Sequence, residues 1–202
     1  VKDAGIQRPA DFIQLVPNMT LVETQNAGNA FVVVRGISQA RNSEPSVAVL
    51  VDGVLETNPA EFNQELFDIQ QIEVLKGPQG ALYGRNAIGG AIIIRTKDPS
   101  DEFEARIKAG FGNGSAVRAQ AGASGPVGAS DALKFRASVN YYNTDGYIPS
   151  TFLGGKADPV EDLSGRLRFL WKPNDRFTGD LRLAASQLST RALYFVIPRD
   201  DE

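Results

Sequence analysis

The residues able to do chemistry in this sequence are carboxylates, amides and glycines, because it contains no His and no Cys. The absence of His excludes a Ser–His–Asp triad, an HExxH metalloprotease and a His-ligated zinc site. The absence of Cys excludes disulfides, thiolate metal sites, iron–sulfur clusters and cysteine nucleophiles. Neighbouring carboxylates at 161–162 and 200–202 have no partner base and are expected on the solvated surface. We therefore expect no catalytic residue, no metal site and no cofactor.

Two glycine patterns suggest nucleotide binding at first sight. Residues 84–89 have the GxxxxG spacing of a phosphate-binding loop, but Gly90 and Ala91 follow where that loop needs Lys and Ser or Thr. Glycines at 110, 112 and 114 approximate a dinucleotide fingerprint, but a strand pattern follows where a helix is required. Both patterns fail their structural context, so an enzyme that uses a nucleotide is disfavoured.

The composition is that of a folded chain with one or two domains: 202 residues, 42% hydrophobic and 22% charged. The net charge of −3 comes from acidic and basic residues mixed along the chain, which offers no electrostatic footprint for nucleic acid. No apolar run approaches the ~20 residues that a helix needs to cross a bilayer. We therefore expect neither a nucleic-acid partner nor a membrane-spanning helix.

The first half of the sequence predicts short strands separated by turns, with one helix. Phe12, Leu15 and Val16 have the spacing of one helix face. Asp52-Gly53 favours a two-residue type I′ turn, because both residues tolerate positive φ. β-branched runs bounded by Gly and Pro predict one small sheet built from strands near 31–35, 47–51, 54–56, 72–76 and 91–96.

The second half alternates apolar and polar residues over five segments, with the apolar residues at odd positions: 103–111, 117–123, 133–141, 163–171 and 177–185. Most have about the 9–11 residues of a tilted bilayer-crossing strand, and aromatics such as Tyr141 and Trp171 lie near strand ends. This favours an outer-membrane barrel over a soluble antiparallel sheet, which alternates in the same way. Because five strands cannot close a barrel, we expect the chain to be a piece of a longer protein that continues beyond Glu202.

Residues 73–97, EVLKGPQGALYGRNAIGGAIIIRTK, resemble the plug domain of TonB-dependent outer-membrane receptors, whose pattern reads IEVLRGP…LYG…GG-I-N-I. VRG at 34–36 and VLVDGV at 49–54 match earlier family motifs in order. Lys76 replaces the usual Arg, which keeps the charge but loses the bidentate geometry, and Ile93 stands where the family often has Asn. The resemblance implies two parts: an α+β plug domain over residues 1–97, and over 98–202 an antiparallel β-meander that starts a barrel of about 22 strands with its first five transmembrane strands.

The resemblance also implies a function, TonB-dependent active transport. A scarce solute, most often an iron–siderophore complex, crosses the outer membrane through a barrel that the plug gates. The expected partners are outer-membrane lipid, the solute, and TonB, which in this family binds an N-terminal box that does not precede Val1 in this sequence. Such a receptor is not an enzyme. A soluble β-rich ligand-binding module of the carbohydrate-binding type remains the alternative, and dependence on detergent would separate the two.

The resemblance assigns roles to three groups of residues. Basic residues in two plug motifs pair with barrel carboxylates in this family, so Arg35 and Lys76 are candidates for a lock between plug and barrel; a strand cap and a solute contact stay open as other roles for Arg35. A second group forms a structural motif of the plug, which we expect to make tight bends and to approach the barrel wall closely. Its residues are Asp52, Gly53, Gly77, Pro78, Tyr83, Gly84, Gly89 and Gly90. Solute binds on the outward face of the plug, where polar stretches offer a cation, amides and an aromatic ring: Gln39, Arg41, Asn42, Asn58, Phe62 and Asn63.

The resemblance finally predicts an orientation. If the plug enters the barrel from the periplasm, the first strand runs outward. The turn at 112–115 and the loop at 143–159 then lie outside the cell, and the turn at 172–175 lies in the periplasm. Odd-numbered residues of each strand face lipid, and even-numbered Arg, Lys and Ser residues face the lumen.

Overall fold

A computed structural model of the chain describes residues 6–23, 30–39, 44–56, 66–83, 87–128, 131–150 and 154–191. These residues contain two short helices, α1 (Pro9–Ile13) and α2 (Gly80–Tyr83). The first six strands are β1 (Met19–Glu23), β2 (Ala30–Val34), β3 (Val47–Val51), β4 (Val54–Glu56), β5 (Ile69–Lys76) and β6 (Gly90–Thr96). The last five are β7 (Glu104–Gly112), β8 (Ala116–Pro126), β9 (Leu133–Thr144), β10 (Val160–Asn174) and β11 (Phe177–Thr190). Within these ranges no helix is long and apolar enough to cross a membrane.

Helix α1 is capped at its N-terminus by a carboxylate of its own first turn. Asp11 accepts hydrogen bonds from the backbone N–H groups of Gln7 and Arg8, each at 2.8 Å, which satisfies donors that a helix start leaves without partners. The helix buries Ile13 to 1% exposure. Leu15, which the sequence pattern placed on the same buried face, is 65% exposed. That expectation was wrong because the helix ends at Ile13, before the periodicity reaches Leu15.

Strands β3 to β6 form a four-stranded sheet in the order β4-β3-β6-β5, in which β3 and β6 run parallel. The predicted hairpin is confirmed: Asp52 and Gly53 have φ of 52° and 86°, and Val51 pairs with Val54. The predicted membership of the strand near 31–35 is wrong. Strand β2 pairs instead with β1, which the sequence analysis missed, in a separate two-stranded antiparallel sheet.

The core of this N-terminal unit, the described residues from 6 to 96, lies between the two sheets and α1. Strand β6 crosses its centre, with Ile92 at 0% exposure. Because β6 is covered on both faces, it reads as a continuous apolar run rather than an alternating one. The buried core residues are Phe12, Ile13, Met19, Val32, Val34, Val47, Val49, Ile69, Ile92 and Ile94.

Strands β7 to β11 form a third sheet, a five-stranded antiparallel meander in chain order. This confirms the predicted strands and their connection. The strands are longer than their alternation indicated, since β10 has 15 residues and β11 has 14. Such lengths exceed the ~5–6 residues of a typical globular strand and suffice for a tilted crossing of a bilayer.

The two faces of the meander differ as predicted. Odd-numbered apolar residues lie on an outer face and remain exposed, among them Ile107, Phe111, Leu181 and Leu183. Even-numbered residues form an inner face that contacts the N-terminal unit. Residues that repeat every second position share a face, so this inner face holds the arginines of β9, β10 and β11.

The turn at 113–115 and the connection from 145 to 159 lie at the same end of the meander. The backbone N–H of Asp145 donates to the carbonyl of Gly114 at 3.0 Å, and the hydroxyl of Tyr147 donates to the carbonyl of Asn113 at 3.0 Å. In the same loop, Asp158 accepts N–H hydrogen bonds from Tyr147 and from its neighbour at 148. Burial opposes its charge, but these donors lower the pKa of the Asp158 carboxyl below its usual value. The orientation of this end relative to the membrane stays a prediction.

Candidate functional site

Three arginines lie in register across the inner face of the meander. Arg168 on β10 is paired directly with Arg136 on β9 and with Arg182 on β11. Like charges that face each other across strands destabilise a sheet. This arginine row therefore requires carboxylates close by, and both the N-terminal unit and the meander supply them.

Arg136 makes the strongest contact between the meander and the N-terminal unit. Its Nε and Nη2 donate to the two carboxylate oxygens of Asp68, each at 2.6 Å, and its Nη1 donates to Glu104 on β7 at 2.9 Å. The side chains of Arg136 and Asp68 are 12% and 14% exposed. A bidentate pair removed from water is held strongly, and breaking one partner of such a pair is costly.

The other two arginines of the row share one carboxylate of the meander. Asp180 on β11 accepts from Arg168 at 3.0 Å and from Arg182 at 2.7 Å. Arg168 also donates to Asp98, in the segment that connects β6 to β7, at 2.6 Å. Each arginine of the row thus has a carboxylate partner on the meander and another at or near the N-terminal unit.

Asp52 in the hairpin turn joins the N-terminal unit to Arg182. Its carboxylate accepts from the backbone N–H of Thr96 at 2.8 Å and from the Thr96 hydroxyl at 2.6 Å. Arg182 Nη1 lies 3.5 Å from the Asp52 carboxylate and donates to the Asp52 carbonyl at 3.1 Å. The turn therefore holds β6 and contacts β11 through the same residue.

Two aromatic rings contact arginine side chains where the N-terminal unit meets the meander. The Arg166 guanidinium lies 4.5 Å from the centre of the Phe67 ring and donates to the Phe67 carbonyl at 2.8 Å. The guanidinium groups of Arg8 and Arg118 each lie 4.9 Å from the Tyr142 ring centre. Such contacts are worth about 0.5–2 kcal/mol. The contacts of Arg166 with Phe67 and of Arg8 with Tyr142 join the N-terminal unit to the inner face.

A cavity of about 490 Å³ separates the N-terminal unit from strands β7 to β9. Small inner-face residues leave this space, among them Gly110 and Gly122, and Lys108, Arg118 and Asp68 line it. The ion pair of Arg136 with Asp68 also borders this cavity, so charged contacts and open space lie next to each other between the N-terminal unit and the meander. Among the described residues, no group of three or more His, Cys, Asp or Glu side chains could hold a metal ion.

The two lock candidates lie close together in the structure. Lys76 at the end of β5 donates to the carbonyl of Pro17 at 3.4 Å, and the backbone N–H of Arg35 donates to the carbonyl of Asn18 at 2.9 Å. Arg35 Nη1 lies 4.0 Å from the point where a Cβ on Gly77 would sit. Both side chains are exposed, and neither has a carboxylate partner among the described residues. The pairing with a carboxylate stays a prediction.

The glycine-rich segment approaches other strands of its own unit, not the meander. A Cβ on Gly90 would lie 2.3 Å from the carbonyl oxygen of Leu75, and one on Gly89 would lie 3.3 Å from the carbonyl oxygen of Ser46. The predicted close backbone contacts occur, here with strands of the same unit, and the predicted approach of these glycines to the barrel wall stays a prediction. Of the rest of the motif, Gly77 has φ of 100° and Tyr83 packs against a small cluster around Ala87.

The candidate ligand-binding residues fall mostly outside the described residues. Gln39 is described and half-buried. The remaining candidates, together with Gly84 of the structural motif, lie outside the ranges that the structure describes: Arg41, Asn42, Asn58, Phe62 and Asn63.

The sequence analysis missed the carboxylates that meet the arginine row. Asp68 and Asp98 carry no motif, and Asp52 was read as a turn residue alone. The one available signal was the placement of Arg136, Arg168 and Arg182 at even positions of strands whose odd positions are apolar. Arginines on an inner face need carboxylate partners, but the alternation of apolar and polar residues does not identify which Asp or Glu residues they are.

Residues 1–91 match the family model of the TonB-dependent Receptor Plug Domain. The pesticin receptor of Yersinia pestis is 34% identical over 130 residues, which cover 63% of this chain and 19% of that protein. The crystal structure of the ferric yersiniabactin uptake receptor FyuA from Yersinia pestis aligns with a TM-score of 0.78 at 29% identity, over 95% of this chain and 30% of that one. Residues 1–91 therefore form the plug domain of a TonB-dependent receptor, and the chain resembles such receptors in fold over most of its length.

A more distant receptor has the same fold. The pyoverdine outer membrane receptor FpvA from Pseudomonas aeruginosa aligns with a TM-score of 0.72 at 19% identity, over 90% of this chain and 25% of that one. The chain spans about a fifth of the length of the pesticin receptor it matches. Its fold is thus a plug domain followed by antiparallel strands of an outer-membrane barrel, as predicted.

The relatives also bear on where the protein lies and on whether it is an enzyme. The receptor lies in the outer membrane of a Gram-negative bacterium, like its relatives. Its relatives are named as receptors, which agrees with the expectation that the protein is not an enzyme. The comparisons give no support to the carbohydrate-binding module. Because the family is known, the meander can be called the wall and the N-terminal unit the plug.

Proposed function

We propose that this receptor takes up an iron–siderophore complex across the outer membrane, using energy that TonB delivers to the plug. In this proposal residues 1–97 are the plug domain and residues 98–202 contribute the first five wall strands. The observation that carries the proposal is the likeness to the ferric yersiniabactin uptake receptor, a TM-score of 0.78 over 95% of the chain. A relative named as a ferric enterobactin receptor supports the same class of cargo.

The geometry of the plug supports a gating role. Among the described residues, ion pairs and hydrogen bonds such as Arg136–Asp68 and Arg182–Asp52 join the plug to the five wall strands. The cavity beside β7 to β9 leaves the plug unpacked on that side. Polar, partly wet interfaces permit relative motion, whereas large apolar ones do not. A plug held in this way can be moved by a partner that pulls on it.

The proposed solute site is the outward face of the plug, formed by the polar stretches that contain Gln39, Arg41, Asn42, Asn58, Phe62 and Asn63. A fixed cation and amide groups suit a chelated anionic complex, and a ring offers an apolar contact. We expect a full-length receptor carrying Arg41→Ala with Phe62→Ala to lose ferric siderophore binding by roughly tenfold or more, since two anchor contacts are removed. The measurement is uptake of radiolabelled ferric siderophores by cells that lack their own siderophore receptors.

Two controls define the outcome of the uptake experiment. The unmodified receptor in cells without TonB should bind the cargo but fail to accumulate it. Arg95→Ala, which removes an exposed arginine paired with Glu73 at 3.5 Å on the plug, should leave uptake unchanged. Failure of the unmodified receptor to take up any ferric siderophore would reject the cargo class. Full uptake by the double variant would remove these loops from the site.

The proposed lock between plug and barrel consists of Arg35 and Lys76, paired with carboxylates of the barrel. We expect Arg35→Ala to loosen the plug by several kcal/mol (roughly 3–5), provided that the pair is buried in the whole receptor. Protease sensitivity of the plug in the full-length receptor measures this, with Arg95→Ala again as the control for loss of an exposed arginine. If Arg35→Ala left both protease resistance and uptake at the unmodified level, Arg35 would have no lock role.

A further inference from the structure

We propose that Arg136 and Arg182 are exchange residues of the wall, which bind plug and wall carboxylates together when the plug is seated and keep the wall carboxylates alone when it moves. The proposal rests on the plug being mobile, as in the function proposed above. Arg136 has Asp68 on the plug and Glu104 on the wall as partners. Arg182 has Asp52 on the plug and Asp180 on the wall.

The two partners occupy different edges of each guanidinium group. Arg136 presents Nε and Nη2 to Asp68 and Nη1 to Glu104. Arg182 has the opposite arrangement, with Nε and Nη2 directed to Asp180 and Nη1 to Asp52. Both partners are therefore bound at once, and loss of the plug partner leaves the wall partner already in contact.

The register of the arginine row explains why wall carboxylates are needed. Without the plug, Arg136, Arg168 and Arg182 would face one another as like charges on three adjacent strands. Glu104 and Asp180 offset that repulsion within the wall itself. They stabilise the unseated state most, because in the seated state each guanidinium group also binds a plug carboxylate and the two carboxylates repel each other. Wall and plug carboxylates thus have opposite effects on seating.

The two exchange residues differ in how strongly they bind the plug. Arg136 holds the plug through a bidentate contact at 2.6 Å, with both side chains nearly buried. Arg182 holds it through a single nitrogen at 3.5 Å and is 37% exposed. Bidentate contacts in low-dielectric surroundings are the stronger kind. Asp68 is thus the main electrostatic anchor of the plug, and Asp52 the weaker one.

The test uses the purified full-length receptor with Asn140→Cys as reporter. Asn140 lies at 0% exposure on the inner face of β9, the face that contacts the plug, and we expect a thiol reagent to reach this position when the plug is unseated. We expect Asp68→Asn to accelerate labelling by roughly tenfold or more, and Glu104→Gln and Asp180→Asn to slow it by a similar factor. Glu161→Gln, which removes an exposed carboxylate on the outer face, should leave the rate unchanged.

A second reporter separates plug seating from damage to the wall. Leu183→Cys on the outer face should keep its reaction with a lipid-soluble reagent in all these variants, because the wall stays intact. Faster or unchanged labelling in Glu104→Gln and Asp180→Asn, with the outer reporter unaffected, would overturn the exchange role. The assay needs neither cargo nor TonB, so its failure is distinguishable from a failure of the uptake proposal.

Discussion

Replacing Gly90 with Ala is expected to prevent the plug from reaching its folded state. Gly90 has φ of 155° at the start of β6, where it pairs with Lys76, and an added Cβ would lie 2.3 Å from the carbonyl oxygen of Leu75. The backbone of β5 cannot move aside without losing its pairing with β6. The strain and overpacking together cost roughly 3–5 kcal/mol, a large part of the ~5–15 kcal/mol that stabilises a domain.

The measurement is the amount of protease-resistant full-length receptor in the outer membrane. Gly80→Ala is the matched control, because a Cβ at Gly80 would meet no atom within 4 Å and its φ is not in the left-handed region. We expect the control to accumulate like the unmodified receptor and Gly90→Ala to be degraded or retained. Equal accumulation of the two variants would show that β5 and β6 tolerate the side chain and that the close approach is not required.

The elements that could be predicted from sequence are those set by local patterns. The hairpin between β3 and β4 follows from Asp52-Gly53, since few other residues accept two consecutive positive φ values. The five wall strands follow from a period of two, because a strand with one apolar face must alternate. Their excess length was missed at the strand ends, at residues 160–162 and 172–174 of β10 and beyond Ala185 in β11.

Pairings between distant segments could not be predicted in the same way. Strand β2 is as β-branched as β3, and nothing in its residues indicates that it pairs with β1 instead of joining the four-stranded sheet. The acids Asp68 and Asp98 lie in ordinary loop sequence, 68 and 70 positions away from the arginines they contact. Charge complementarity at such separations is a property of the folded arrangement, and a single sequence contains no local trace of it.

The polarity of the plug–wall contacts also differs from the resemblance-based expectation. That expectation placed cations on the plug, at Arg35 and Lys76, and carboxylates on the barrel. In the described residues the observed contacts run the other way, with wall arginines at 136 and 182 and plug carboxylates at 68 and 52. The two arrangements involve different faces of the plug and do not exclude each other. Opposite charges on both surfaces fix a plug in one orientation, because a rotated plug would bring like charges together.

Replacing Asp52 with Ala is expected to destabilise the plug by roughly 2–4 kcal/mol, because a positive φ without an Asp or Asn side chain is strained and two hydrogen bonds to a carboxylate are lost. Thr96, at 8% exposure, would keep a backbone N–H and a hydroxyl without their present acceptor. Arg182 would lose its plug carboxylate and retain Asp180. The measurement is the urea midpoint for loss of plug structure in the full-length receptor.

Asp52→Asn separates the two roles of this residue. The amide keeps the preference for positive φ and one acceptor oxygen for the N–H of Thr96, but it carries no charge for Arg182. We expect about half of the destabilisation caused by Ala in the urea midpoint, together with faster labelling of the Asn140→Cys reporter. A variant with the stability of Asp52→Ala would mean that the charge itself holds the turn. A variant with unmodified stability and unmodified labelling would mean that neither the second hydrogen bond nor the contact with Arg182 contributes to seating the plug.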